Sequence, residues 1–180
     1  HQDGRTLYPG TGFTDDFGGP NALGATINIP LPPRTSDEGF LFVMDNVILP
    51  ILDEFKPEII INSAGQDNHY SDPITNMSFS AKGYALLNEK LAPDIAVLEG
   101  GYSIEKALPY VNVGIILAMA GLDFSQVREP DYDALRIRQS PEITRLIEDE
   151  ARNVMTLWKK KKNLKKQITG SAAYIRREKN

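Results

Sequence analysis

The 180-residue sequence contains no cysteine. Disulfides, thiolate metal sites and a thiol nucleophile are therefore excluded, and the composition fits a reducing compartment. Long apolar runs are lacking too. The longest candidate, residues 111–122, is well short of the roughly 20 apolar residues that a membrane-spanning helix needs. We therefore expect a cytoplasmic protein with no membrane partner.

Histidine is scarce as well, since His1 and His69 are the only two. So few histidines nearly exclude a catalytic triad or a multi-histidine metal site built from this chain alone. The glycine signatures of other enzyme classes are also missing. Neither GxGxxG nor GxSxG occurs, and no Lys-Ser/Thr pair of a phosphate-binding loop follows the glycines of residues 8–12.

The net charge is −4, but basic residues are concentrated at one end of the chain. Residues 159–180 carry nine Lys or Arg and one acid, while the rest of the chain is acidic. A basic segment of this kind is able to contact an anionic partner. No aromatic side chains interleave with the lysines to stack on bases, which argues against nucleic acid. The pattern favours a solvated helix end that packs against its own acidic body.

Hydrophobic periodicity predicts alternating strands and helices. Continuous β-branched runs predict buried strands, and apolar residues at helical spacing predict helices. The predicted strands span residues 24–31, 57–65 and 94–101, and the predicted helices span residues 35–55, 80–92, 103–122 and 140–167. This order predicts a three-layer α/β/α fold, in which helices cover both faces of a parallel sheet. We divide the chain into residues 1–139 and a helical, basic extension over residues 140–180.

Local signals set the predicted helix ends. Ser36 or Asp37 is expected to cap the first helix, and Ser80 the second. Pro50 is expected to kink the first helix, because proline has no N–H and its ring clashes with the preceding turn.

Polar side chains follow two of the predicted parallel strands. Asp67, His69 and Asp72 come after strand 57–65, and Tyr102 follows the Gly-Gly pair that ends strand 94–101. Because ligands bind at the carboxyl ends of the strands in open α/β sheets, we expect Asp67 and Tyr102 to face one pocket. Asp67 is an oxygen donor suited to Zn²⁺, and a Tyr hydroxyl is suited to stabilising an oxyanion.

Each of these residues also has an interpretation without chemistry. Asp67 is able to cap its own loop, and Asp72 before Pro73 is typical of a turn. His69 lies two residues after Asp67, so the two form at most a partial chelate, since a catalytic zinc site uses three protein ligands. Tyr102 is equally able to close the core with its hydroxyl in water.

Four stretches of the chain, taken in order, resemble the zinc-dependent histone deacetylase-like family, which has the arginase/deacetylase fold. The stretches are HQDGRTLYPGTGF, GATINIPL, SAGQDNHYSDP and LEGGY, and they lie within residues 1–102. Glu99 before the Gly-Gly pair resembles the class II and prokaryotic branch, which includes acetylpolyamine hydrolases and acetoin-utilisation proteins. The resemblance implies that the fold is of this type and incomplete at its N-terminus.

The resemblance also implies roles for six residues. Asp67 corresponds to one aspartate ligand of the catalytic Zn²⁺, and Tyr102 to the tyrosine that polarises the acetyl carbonyl. The implied substrate-binding positions are Tyr8, Gly100, Gly101 and Ile74. His69 has no counterpart among the zinc ligands of the family, so the resemblance weakens the Asp-x-His chelate and favours a residue at the rim.

The family's other two zinc ligands and its paired histidines fall outside this sequence. We therefore expect a fragment or one half of a split protein, whose missing N-terminal half, as a separate chain or not, completes a deacetylase acting on N-acetyl-lysine or an N-acetyl-polyamine. The alternative is a non-catalytic binding or scaffold module that uses the basic tail on an anionic partner. An arginase-like binuclear site needs more Asp and His than residues 65–73 offer. The sequence carries no prediction of oligomeric state.

Overall fold

The computed structural model describes residues 1–19, 21–135 and 137–177, with the side chains of the last helix as far as Lys160. The elements in chain order are α1 (Asp37–Val43), a π-helical segment (Met44–Ile48), α2 (Leu49–Phe55), β1 (Ile61–Ala64), α3 (Ala81–Leu91), β2 (Ile95–Leu98), α4 (Leu108–Met119) and α5 (Pro141–Arg177). No helix in these ranges combines the length and the hydropathy that a membrane crossing requires.

β1 and β2 form a parallel pair, joined by a crossover through α3. Their register pairs Ile61 with Ile95 and continues to Ala64 with Leu98. Parallel neighbours need such a crossover, since a short hairpin joins only antiparallel strands. The predicted α/β class is therefore confirmed.

The predicted strand over residues 24–31 is wrong in the described part of the chain, where this segment makes a single parallel bridge between Leu31 and Gln2. The N–H of Leu31 donates to the carbonyl of His1 at 2.8 Å, and its carbonyl accepts the N–H of Asp3 at 2.8 Å. The next residue on the same edge is Pro33, which has no N–H, so the ladder ends there.

The helix predicted over residues 35–55 is confirmed as a continuous helical stretch from Asp37 to Phe55. Its irregularity takes the form of the π-helical segment that ends two residues before Pro50. Proline has no N–H for the carbonyl four residues earlier, and π-turns are one way to absorb such a break. The side-chain cap expected from Ser36 or Asp37 is wrong, since Asp37 accepts the N–H of Ser80 at 2.9 Å instead.

The later helices follow their sequence signals closely. Ser80 caps α3 as predicted, because its hydroxyl oxygen accepts the N–H of Gly83 at 3.0 Å. α4 begins at Leu108 rather than at residue 103, and Pro109 lies in its first turn, where a missing N–H costs nothing. α5 continues beyond the predicted end at residue 167 to Arg177. Gly170 lowers helix propensity by about 1 kcal/mol but does not stop a helix.

The hydrophobic core lies between α1, the π-helical segment, α3, α4 and the first turns of α5. Val47, Phe79, Val111 and Ile147 are among its fully buried members. Phe79 packs against Phe40 with ring centroids 4.9 Å apart. The first part of α5 thus belongs to the same core as the segments before it. The division at residues 139 and 140 stays a prediction, and the role of the basic tail concerns side chains outside the described ones.

The predicted burial of both strands is wrong for one face of the sheet and for Leu98 at the end of β2, which is 69% exposed. Asn62 and Ala64 point toward the helices, and the side-chain amide of Asn62 donates to Asn88 of α3 at 2.9 Å. The opposite face carries Ile61, which is 60% exposed, and Ile95 and Val97, which are 46% and 39% exposed. Parallel sheets normally have both faces covered, so this apolar face is unusual. We call these three side chains, together with Ile59, the open face.

Matched isoleucine-to-valine changes test the open face. Ile147→Val removes a methyl group from a fully buried position and is expected to lower the free energy of unfolding by about 1 kcal/mol. Ile61→Val removes the same group from the open face and is expected to change it by less than about 0.3 kcal/mol. Urea titration of the 180-residue chain measures both. Equal losses would contradict an uncovered face.

Candidate metal and substrate site

The loops that follow β1 and β2 lie side by side, as the sheet topology predicts. The N–H of Gln66 donates to the carbonyl of Gly100 across the two loops. A Cβ on Gly101 would lie 3.0 Å from the Cβ of Gln66, so the backbones approach at a distance that favours glycine. The parallel register of the strands therefore delivers residues 65–67 and 99–102 to one edge of the sheet.

Gly100 is the point at which Asp67 and Tyr102 meet. A Cβ built on Gly100 would lie 2.8 Å from Oδ2 of Asp67 and 3.4 Å from Cε2 of Tyr102. Both side chains therefore border the same small volume above this glycine. Asp67 and Tyr102 thus both lie next to Gly100. The expectation that they face one pocket stays a prediction, as do their chemical roles.

A pocket of about 310 Å³ opens beside Asp67 and brings in the first loop of the chain. Tyr8 and Asp67, both predicted site residues, line it. The other lining residues are His1, Gln2, Gly4, Leu7, Pro9, Thr11, Gly12, Asn28, Asn68 and Thr75. Tyr8 is 92% exposed, so its ring forms an outer wall. Tyr102, Gly100, Gly101 and Ile74 are not among the lining residues, and Tyr102 is half-exposed next to the pocket.

Asp67 lies in surroundings that favour a bound cation. Burial and the nearby negative charge of Asp72 raise the pKa of the Asp67 carboxyl. Burial and a neighbouring negative charge destabilise the ionised carboxylate, and a bound divalent ion stabilises it. Within the described residues no group of three or more His, Cys, Asp or Glu is placed to hold a metal ion. Asp67 therefore fits as one oxygen ligand of a set that these residues do not complete.

His69 is neither a partner ligand of Asp67 nor a rim residue, and both sequence expectations are corrected here. The ring is 1% exposed. The N–H of Ser71 donates to Nδ1 at 3.1 Å, and Nε2 lies 3.1 Å from Oε1 of Glu129. Both ring nitrogens are therefore engaged inside the protein.

Glu129 is a residue that the sequence reasoning missed. It is 3% exposed and lies 60 positions beyond His69. Burial alone would raise the pKa of its carboxyl, but the hydrogen bond from His69, aided by backbone N–H groups, outweighs burial and lowers the pKa. Nothing in the local pattern around Glu129 indicates this pairing, because only the tertiary fold brings the loop of residues 123–135 behind His69.

Asp72 forms the predicted turn and also reaches beyond it. Oδ1 accepts the N–H of Ile74 at 2.9 Å, which closes a local Asx turn. Oδ2 accepts the N–H of Tyr102 at 2.8 Å. One carboxylate thus joins the loop that carries Asp67 to the turn that carries Tyr102.

Comparison with known proteins identifies the family and the fold of the chain. The Histone deacetylase domain family matches residues 1–114. A probable deacetylase of Archaeoglobus fulgidus is 52% identical over 134 residues, which cover 69% of this chain and 37% of that protein. The chain belongs to the histone deacetylase family. It spans little more than a third of the length of this curated relative.

Solved structures give the same family fold. The acetylpolyamine aminohydrolase of Burkholderia pseudomallei superposes with a TM-score of 0.62 at 29% identity, covering 68% of this deacetylase-family chain and 36% of that one. The HDA15 HD domain superposes with a TM-score of 0.72 at 22% identity, covering 94% and 46%. The predicted arginase/deacetylase fold is therefore confirmed for the deacetylase-family chain.

Two glycine-to-alanine changes test the contact between Gly100 and Asp67. Gly100→Ala places a Cβ 2.8 Å from Oδ2 of Asp67, closer than real contacts allow, so the carboxylate is expected to move. Gly65→Ala places its Cβ 3.6 Å from Oδ1 of the same residue, an ordinary contact. The carboxyl ¹³C chemical shift of Asp67 should change in the first variant and stay within about 0.1 ppm in the second, since Asp67 keeps its place there. A shift unchanged in Gly100→Ala would place Asp67 elsewhere.

Proposed function

We propose that this chain carries part of the active site of a zinc-dependent deacetylase that hydrolyses the amide of N-acetyl-lysine or of an N-acetyl-polyamine. The observation that carries the proposal is the meeting of Asp67 and Tyr102 at Gly100, beside a pocket walled by Tyr8. Family membership and the names of the relatives, a probable deacetylase and an acetylpolyamine aminohydrolase, support the same reaction class.

Tyr102 is the proposed oxyanion donor. Tyr102 is 51% exposed, so its side chain is not enclosed in the core. A phenol O–H donates a hydrogen bond to the negative charge that develops on the carbonyl oxygen during amide hydrolysis. Exposure on the Gly-Gly turn keeps the hydroxyl reachable by a substrate.

Asp67 is the proposed metal ligand within this chain. When bound, Zn²⁺ supplies a Lewis acid and lowers the pKa of water. Asp67 presents an oxygen donor whose charge is disfavoured by burial and by Asp72, which suits a divalent ion. The remaining ligands and the proton acceptor are assigned to other residues, because both nitrogens of His69 are already engaged with Ser71 and Glu129.

The substrate chain is proposed to approach along the aromatic wall. Tyr8 is exposed across the pocket from Asp67, where its ring suits the apolar methylenes of a lysine or polyamine. Gly100 and Gly101 leave room beside this path, since a Cβ on either would contact Asp67 or Gln66. Ile74 is 52% exposed on the neighbouring loop and is the proposed rim contact.

Activity is proposed to need a second polypeptide segment, in the same molecule or as a separate chain. Asp67 alone does not make a zinc site among the described residues. The open face leaves an apolar side of a parallel sheet in water, which such sheets avoid. A segment that covers this face and brings the other ligands satisfies both requirements. We refer to the chain together with this segment as the complete protein.

Kinetics on an acetyl-lysine substrate and on an acetylpolyamine test the proposal. The isolated 180-residue chain with Zn²⁺ is expected to show no turnover, since its described residues supply Asp67 and no complete set of ligands. In the complete protein, Tyr102→Phe is expected to lower kcat by about 10²–10³-fold, the scale of losing one oxyanion donor. Tyr132→Phe is the matched control, because it also deletes a phenol hydroxyl. The ring of Tyr132 stacks with Arg128, and neither residue lines the pocket beside Asp67.

Two results would contradict the proposal. Turnover by the isolated chain would show that the other ligands are not needed. A kcat for Tyr102→Phe equal to that of Tyr132→Phe would remove Tyr102 from the mechanism.

A further inference from the structure

We propose that Asp72 is the positioning residue for Tyr102, because its carboxylate fixes the backbone of the 100–103 turn to the loop that carries Asp67. The inference rests on the proposed role of Tyr102 as the oxyanion donor. It assigns to Asp72 no contact with the substrate. Asp72 affects the reaction only by holding the Tyr102 backbone in position.

The carboxylate of Asp72 is divided between two backbone groups on different segments. Oδ1 accepts the N–H of Ile74 at 2.9 Å, and Oδ2 accepts the N–H of Tyr102 at 2.8 Å. Asp72 is 7% exposed, so water competes little for either oxygen. Hydrogen bonds to an ionised carboxylate are about twice as strong as those between neutral groups. The shared carboxylate therefore holds Tyr102 at a fixed distance from the loop.

The hydrogen bond to Asp72 adds to the links between the two loops at Gly100 and Ser103, because it holds the backbone of Tyr102 itself. The residue follows two glycines, which leave the backbone with wide conformational freedom. Its side chain is half-exposed. An oxyanion donor acts only within a few tenths of an ångström of its productive place. The hydrogen bond to Asp72 holds the backbone N–H of Tyr102.

The loop that carries Asp72 is itself anchored from behind. The hydroxyls of Ser71 and Ser103 lie 2.7 Å apart, which adds a second link between the two loops. Ser71 also contacts His69, and His69 contacts the buried Glu129. This row of four side chains ties the Asp67 loop, the Tyr102 turn and the segment around Glu129 together. Because these contacts fix the loop, Asp72 binds the Tyr102 N–H from a fixed position.

A second aspartate in the chain, Asp123, is exposed where Asp72 is buried, and it provides a control for the loss of the local turn alone. Asp123 closes the same kind of turn, with Oδ1 accepting the N–H of the residue two positions on, Ser125, at 2.8 Å. Its Oδ2 accepts the hydroxyl of the same Ser125 at 2.9 Å. Asp123 thus has the local hydrogen bond of Asp72 without the contact to a second loop.

Steady-state kinetics of the complete protein test the positioning role. Asp72→Asn replaces one carboxylate oxygen by an amide NH₂, which is unable to accept a hydrogen bond. We expect kcat to fall about tenfold with KM changed by less than about twofold, because placement of the donor and not substrate binding is affected. Asp123→Asn is expected to leave both constants within about twofold of the wild type.

A double variant separates positioning from a general structural effect. If Asp72 acts through the Tyr102 hydroxyl, Asp72→Asn costs nothing further in kcat once Tyr102→Phe has removed that hydroxyl. A change that weakens the fold, or the metal through the lost charge beside Asp67, would lower kcat by the same factor in both backgrounds. Equal factors would therefore overturn the proposal.

Hydrogen exchange keeps the proposal testable if Asp72→Asn does not fold. In the 180-residue chain the amide of Tyr102 is expected to exchange at least about tenfold more slowly than in an unstructured peptide. Exchange at the unstructured rate would overturn the proposal. Failure of the proposed function looks different: Tyr102→Phe would retain full kcat while the Tyr102 amide stayed protected.

Discussion

The parallel pairing of β1 with β2 is the constraint on which the candidate site depends. It sets Ile61 opposite Ile95 and, three residues later, ends both strands at the same edge, with Ala64 opposite Leu98. The chain then has only two or three residues on either side before it presents Asp67 and Tyr102. A shift of the register by one residue would turn every strand side chain to the other face and separate these two residues. The register of the two strands therefore decides which side chains lie together at this edge.

Carboxylates at this edge are used in two different ways. Asp67 points into a pocket, where burial and a neighbouring charge raise its pKa and suit it to a cation. Asp72 points inward and uses both oxygens on backbone N–H groups. Asp67 therefore suits cation binding, and Asp72, five residues later, holds the loop to the Tyr102 turn. His69 and Glu129 fix the same loop from the side of the core.

Sequence reasoning was sufficient where the signal is local or periodic. The helices that begin at Ala81 and Pro141 follow from capping residues and apolar spacing. The helix that begins at Asp37 follows from apolar spacing alone, since its predicted cap is wrong. The strand ends predicted which loops meet. The burial of Ile61 and Val97 was mistaken, because a continuous apolar run predicts a covered strand but does not supply the covering segment. The pairing of His69 with Glu129 and the second contact of Asp72 depend on tertiary distance, so no spacing in the sequence indicates them.

The central claim is that Asp67 holds a metal ion next to Tyr102. Diffraction from crystals of the complete protein grown with Zn²⁺, measured at the zinc absorption edge, tests it most directly. The account predicts one anomalous peak about 2.0–2.2 Å from a carboxylate oxygen of Asp67, with the hydroxyl of Tyr102 facing the open coordination position. A zinc peak at another part of the protein, with Asp67 unligated, would contradict it.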